Sequence, residues 1–146
     1  MRRNEFDVTN RVDTTQPDAV QDEVVRIYRD LYQCERGNTL PQMFADVSAM
    51  YRGDYPGFRE CDTAYHDIQH VLDVTLAMAR LMDGCVRASS SDVVNARLFR
   101  FGICTALLHD VGYLRRRNDS RHANGAEYTK IHVSRGAKIL RDYMTK

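Results

Sequence analysis

The chain has five histidines, His66, His70, His109, His122 and His132, and none falls in the first 65 positions. Four of them sit in three short patterns that could do chemistry. The first is Tyr65-His66-Asp67-Ile68-Gln69-His70. A four-residue spacing on a helix puts both imidazoles on one face, about 6 Å apart along the axis. Such a pair can share a metal ion, or one ring can hold metal while the other moves a proton. Two polar residues at a helix edge look the same. The second pattern is Ala106-Leu107-Leu108-His109-Asp110-Val111-Gly112-Tyr113, an imidazole beside a carboxylate at the end of the most apolar stretch. A buried carboxylate is costly unless it is paired or bound to a cation. A divalent metal satisfies both groups; a His–Asp hydrogen bond, or an ion pair from Asp110 to a nearby arginine, would satisfy the carboxylate alone. The third is His132 with Gly136 four residues later. Glycine inside a helix costs up to about 1 kcal/mol relative to alanine, which points to close packing there; His132 by itself also reads as a surface residue. His122, in a polar loop, reads most simply as solvated.

The loop after the doublet carries Arg115, Arg116 and Arg117. Guanidinium forks match phosphate oxygens two at a time, so this loop, and Arg135 beyond it, are candidates for holding a phosphorylated substrate. A solvated basic loop is the alternative.

These groups need elements to position them. Apolar residues recur at three- and four-residue steps over 18–34, 41–50, 63–83 and 92–111, and a last helix is expected from Asn124, whose side chain with Glu127 resembles a capping box. Gly84 is the expected stop of the third helix and Gly112 of the fourth, and Ser91 or Asp92 the expected cap of the fourth. The stretch 35–39 with Gly37 reads as a break. Residues 1–17 are polar and aperiodic and read as a loose, flexible arm, with residues 18–146 as one domain. No strand alternation is visible. The expectation is an all-α bundle of five or six helices.

Composition narrows the function classes. At 43% apolar and 28% charged, the 146 residues suit a single soluble domain and exclude collagen-like or wholly disordered chains. The longest nearly apolar stretch, 98–108, contains Arg100 and is too short to cross a bilayer. Twenty-one basic against twenty acidic residues give a net charge of +1, which supplies no field for nucleic acid or an anionic membrane. The start has no apolar run of a secretory signal, and Cys34, Cys61, Cys85 and Cys104 contain no CxxC. Four reduced thiols in a cytoplasmic protein is the expectation, with Cys104 an inert core residue.

Taken together, the histidine patterns resemble the HD superfamily of metal-dependent phosphohydrolases. The resemblance covers about residues 64 to 142. It implies an HD-domain-like bundle in which His70 is the first metal ligand and His109 with Asp110 the doublet. Tyr65-His66-Asp67 followed by His70, Asp73 and Val74 is similar to the YHNxxHAxDV motif of cyclic-nucleotide phosphodiesterases, with Asp67 in place of the asparagine and Val71 in place of the alanine. In that motif the residue matching His66 is the proton donor to the leaving oxygen. His132 with Gly136 resembles the HPxxG segment of the HD-GYP branch, where the matching histidine binds a further metal; Val133 replaces the proline, and the HHE and GYP signatures are absent. The family's last ligand is an aspartate on a later helix. Asp119 and Asp142 are the only aspartates after the doublet, and neither is a good match, so a domain truncated at its C-terminus, or a reduced family member, is expected. A homodimer could supply a missing ligand.

What the resemblance implies is a hydrolase that uses a divalent ion (Mn, Mg, Fe, Zn or Co) to activate water against a phosphate ester, plausibly a nucleotide. The alternative is a catalytically incomplete HD-like domain that binds or senses nucleotides, and a further one is a helical interaction domain whose histidines are structural.

Overall fold

Each helix of this chain starts and stops where the sequence withdraws or supplies backbone partners. The computed structural model describes residues 4–33, 39–88 and 94–145. Among them are five α-helices, α1 (Pro17–Tyr32), α2 (Leu40–Arg52), α3 (Ile68–Ala88), α4 (Ala96–Leu108) and α5 (His132–Met144), with 3₁₀ turns at Val111–Tyr113 and Gly125–Tyr128. Two isolated bridges, Phe6 to Asp13 and Phe58 to Arg116, are the only β-type pairings among the described residues. The all-helical expectation therefore holds. Cys34, Gly37, Ser91 and Asp92 lie outside the described residues.

Pro17 and Pro41 occupy the first turns of α1 and α2, where a missing N–H costs nothing. Gly53 closes α2 at φ 79°, with its N–H on the carbonyls of Ala49 and Met50. The bounds of the last three helices differ from the sequence reading. The third helix begins at Ile68 rather than 63, because Tyr65 adopts a left-handed φ of 72° and Asp67 Oδ1 then accepts the His70 N–H at 2.9 Å as a cap. It runs past Gly84 to Ala88, since a Cβ at Gly84 would meet nothing within 4 Å and no contact there demands a stop. The fourth helix is capped by Asn95, whose side chain accepts from Leu98 N–H, and ends at Leu108. The expected last helix splits. Asn124 caps the second 3₁₀ turn through Ala126 N–H, Glu127 accepts from Ala123 N–H at 2.7 Å, and α5 starts only at His132.

The core lies where α3 packs between α1 and α4, with α2 against α1 and α4. Val24 and Tyr28 of α1, Phe44 and Met50 of α2, Leu72 and Leu76 of α3, and Phe99 and Ile103 of α4 are all buried there. Tyr28, Tyr32 and Phe99 form an aromatic cluster with ring centroids 5.2 to 5.9 Å apart. Helix α5 packs mainly on the first 3₁₀ turn, so the end of α4 and the start of α5 are held together. No helix among the described residues is long and apolar enough to cross a membrane.

The N-terminal segment differs most from expectation. Residues 4–16 are a folded turn built round one buried carboxylate. Asp7 is 4% exposed. Its oxygens accept from Thr9 N–H and O–H, Arg11 N–H, Val12 N–H and the Arg80 guanidinium of α3 at 2.6 to 3.0 Å. Sequence periodicity misses it because the order comes from an acceptor meeting consecutive amides, which leaves no apolar repeat. Burial pushes the Asp7 carboxyl up, but the bonds from Thr9, Val12, Arg80 and Arg11 outweigh it and hold the group well below the ordinary carboxylate range. A carboxyl depressed on folding stabilises the fold above its unfolded value of about 3.9, and that stabilisation is lost as pH falls below it. Asp7→Asn is expected to cost about 2–4 kcal/mol at pH 7, a fall in melting temperature of roughly 5–12 °C, with the gap to the parent narrowing below about pH 4. Calorimetric melts of both proteins from pH 3 to 7 check this, and a gap that does not depend on pH would remove the electrostatic account.

Candidate metal centre

A continuous helix would turn His109 and Asp110 about 100° apart. Here α4 ends at Leu108, Asp110 takes φ −103° and ψ 5°, and a 3₁₀ turn follows. That break swings the two side chains together: His109 Nε2 lies 3.2 Å from Asp110 Oδ2. His70, in the first turn of α3, brings its Nε2 within 3.4 Å of both His109 Nε2 and Asp110 Oδ2. His66 lies in the turn before α3 instead of on the helix, a correction to the shared-face reading. It still converges, because the Tyr65 turn and the Asp67 cap bring its Nδ1 to 2.6 Å from Asp110 Oδ2. One oxygen of a carboxylate that is 7% exposed is thus faced by three imidazoles, each 24–29% exposed. The carboxylate is at the base, and the rings form a rim that solvent reaches.

The donor chemistry fits a cation. His109 Nδ1 is 2.7 Å from the Ala106 carbonyl, which can only accept, so Nδ1 carries the proton. A neutral His109 then presents an unshared pair on Nε2 towards Asp110 Oδ2 and His70 Nε2. Lone pairs facing a carboxylate at this range repel unless a proton or a metal ion lies among them. The triangle of His70, His109 and Asp110 has edges of 3.4, 3.4 and 3.2 Å. Donors about 2.0–2.1 Å from a tetrahedral ion lie about 3.3–3.4 Å apart, so the spacing suits one coordination shell. His66, His70 and Asp110 also each offer a ligand atom within 4.8 Å of one another. The separation of 2.6 Å between His66 and Asp110 is that of a hydrogen bond, and it fixes the His66 ring as an outer partner of the carboxylate.

His132 is not drawn into the cluster. Its ring stacks on Tyr113 at 4.3 Å, Tyr113 stacks on His66 at 4.2 Å, and the tyrosine ring stands between the two imidazoles. His132 Nδ1 is held by the Thr129 carbonyl at 2.7 Å. The close packing read at Gly136 is needed chiefly at Gly112. A Cβ at Gly112 would overlap the His132 carbonyl oxygen, whereas one at Gly136 would make ordinary contacts at 3.5 Å.

The arginines expected to hold phosphate are engaged within the fold. Arg115 Nε donates to Asp62 at 2.8 Å and Nη1 to the His122 carbonyl. Arg116 lies over the Phe58 ring, 4.0 Å from its centroid. Arg117 donates to the Gly53 carbonyl. Arg135 donates to the Gly112 and Leu114 carbonyls and covers Tyr128. Backbone carbonyls in the 3₁₀ turns and loops take the forks of Arg117 and Arg135 and one nitrogen of Arg115. His122, read as solvated, is paired with Asp119 at 3.0 Å, and Tyr128 O–H bonds the same carboxylate. Asp142 lines a separate small cavity with Arg116 and Tyr143. Among the described residues, the only group of three or more candidate ligands is the one at Asp110. Tyr113 was legible as the residue four after His109, but no sequence rule marks a tyrosine as a spacer between two histidines.

No protein-family model, no curated protein and no solved structure matches the chain.

Calorimetric titration of the metal-stripped chain with Mn²⁺ or Zn²⁺ is expected to give one site per chain. His70→Ala or His109→Ala should weaken it about 100-fold or more, because each removes a donor and leaves the shell short. His132→Ala should stay within about threefold, as expected of a residue that shares no partner with the ion. Equal losses in all three variants would place His132 in the shell.

Proposed function

We propose that this chain is an HD-type metal-dependent phosphohydrolase domain that cleaves a phosphate ester, with a nucleotide as the substrate class. The observation that carries the reading is the convergence of His66, His70 and His109 on the single buried oxygen Asp110 Oδ2. The nitrogen and oxygen donors of His70, His109 and Asp110 suit Mn, Fe, Co or Zn, and Mg less well. A divalent ion bound there supplies Lewis acidity and a water of lowered pKa. The chain's own groups do the rest. Asp110, buried and facing three rings, sets their orientation. The Ala106 carbonyl accepts from His109 Nδ1, which turns Nε2 towards Asp110 and His70 as the atom that would bind the ion. His66 keeps Nδ1 on Asp110 and stacks flat on Tyr113, which leaves Nε2 as the atom that can give a proton to a leaving oxygen. The free thiols at Cys61, Cys85 and Cys104 suit a reducing compartment, so we place the protein in the cytoplasm.

One observation favours a second reading. Among the described residues no further carboxylate joins the cluster, and the basic loop is spent on internal partners. A domain that binds a nucleotide without turnover would have this composition.

A screen of phosphomonoesters and phosphodiesters with Mn²⁺ separates the two. The enzyme reading expects turnover that Asp110→Asn abolishes. It expects His66→Ala to lower kcat by about 10²–10⁴-fold while metal affinity falls far less. Saturable nucleotide binding with no turnover by the parent protein would leave the sensor.

A further inference from the structure

Helices α2 and α4 and the end of α5 border an open-sided cavity of about 640 Å³. Small-molecule sites run from about 300 to 1,000 Å³. The apolar wall is made by Met43 of α2, Leu98 and Phe101 of α4 and Met144 of α5. Leu98, Phe101 and Met144 are 47, 48 and 50% exposed. Large apolar side chains exposed one at a time are ordinary, but gathered in a concave place with polar residues at its edge they mark a binding groove.

The charges on this wall are of one sign. Arg97 and Arg100 line the cavity, and no acidic side chain is among its described lining. Arg97 is exposed and pairs with no carboxylate among the described residues. An adjoining cavity of about 340 Å³ shares Met43, Cys104 and Met144 and continues to Tyr55 and Tyr143. The one carboxylate in its described lining, Asp46, already accepts from Gln42 Nε2 at 2.9 Å and from Tyr143 O–H at 2.8 Å. The groove therefore has positive charge at one end and apolar surface along its length. A second copy of the chain suits it poorly. In a two-fold interface the patch meets itself, which sets arginines against arginines with no acid in the lining to answer them.

We propose that this groove binds a single-chain amphiphile with a carboxylate head, of the medium-chain fatty acid class, with the head on the Arg97 guanidinium and the chain along Met43, Phe101 and Met144. A guanidinium fork donates two parallel hydrogen bonds to a carboxylate. Methionine, unbranched and polarisable, adapts to a flexible chain. The groove shares no residue with the cluster at Asp110, so the binding does not depend on metal there.

The test follows the methionine methyl NMR signals of the whole chain during titration with decanoate. A chelator is present, so that no carboxylate is held through a metal ion. 1-Decanol keeps the chain without the charge, and butyrate the charge without the chain. Saturable shifts are expected at Met43 and Met144, and none at Met50, which is buried in the core. Butyrate should bind about 50-fold or more weaker, because six methylenes of contact are gone. 1-Decanol should bind about threefold or more weaker than decanoate; a groove that recognised the chain alone would prefer the alcohol, whose head costs less to desolvate. Arg97→Glu should weaken decanoate by about threefold or more and leave 1-decanol within twofold. An acid in the first turn of α4 agrees with the helix dipole, so that variant keeps the fold. The proposal fails if decanoate gives no saturable shift, if 1-decanol binds as tightly as decanoate, or if Arg97→Glu binds decanoate like the parent. It fails also if the chain sediments as a dimer that decanoate leaves intact and Phe101→Glu dissociates, since a second copy would then cover the groove.

Discussion

A carboxylate shut off from water must be matched by cations, protons or donors, and among the described residues the Asp110 oxygen is faced by imidazoles alone. This requirement organises the region round it. Water cannot take over the role, because the side chain is 7% exposed. Among the described residues no arginine takes it over either: Arg115, Arg116 and Arg117, the nearest in sequence, are on Asp62, the Phe58 ring and the Gly53 carbonyl. The carboxylate therefore depends on three rings brought from two segments of the chain. His66 lies in the turn before α3 and His70 in its first turn, and the third ring is the carboxylate's own neighbour at the end of α4.

Bringing them together needs backbone that departs from the helix at two points. On the α3 side, Tyr65 takes a left-handed turn that costs a non-glycine residue energy, offset by the cap Asp67 makes on His70 N–H. On the α4 side, Asp110 leaves the helical region, and the 3₁₀ turn that follows is pressed against the start of α5 closely enough that only glycine fits at 112. The two sides then meet through rings. His66, Tyr113 and His132 stack in one pile, so the first turn of α5 buttresses the cluster without contributing a donor to it.

Much of this was legible in the sequence, for a reason that also marks the limit. The helices and the core faces are periodic, and α1 and α2 carry proline at their starts, so five helices and their order follow from spacing. His109 and Asp110 were legible because a carboxylate at the end of an apolar helix demands a partner, whereas His70 was joined to them only through the resemblance of the histidine spacing to HD-type sites. What was not legible depends on irregular backbone. The start of α3 five residues late, the turn round Asp7 and the interposed Tyr113 all come from side chains bonding local amides or from ring stacking, and neither leaves a repeat. The arginines were misplaced in expectation because charge and spacing cannot distinguish a fork aimed at phosphate from one spent on a loop carbonyl; only the carbonyl's position decides.

The single carboxylate has a consequence for any chemistry at this site. Two divalent ions a few ångströms apart repel strongly, and sites that hold two commonly bridge or flank them with carboxylates. Asp119 cannot serve, since His122 and Tyr128 already occupy its oxygens, and Asp142 faces a different cavity. His132 would bring a neutral ring and lies beyond Tyr113. With one negative charge among the described donors, the cluster balances half the charge of one divalent ion. The remaining charge has to be met by what the ion binds from solution. A single-ion shell of that kind favours anionic ligands at its open positions, hydroxide or a phosphoryl oxygen among them. On the phosphohydrolase reading proposed above, preference for a phosphate ester would arise from uncompensated metal charge at the rim, without an arginine to recognise it.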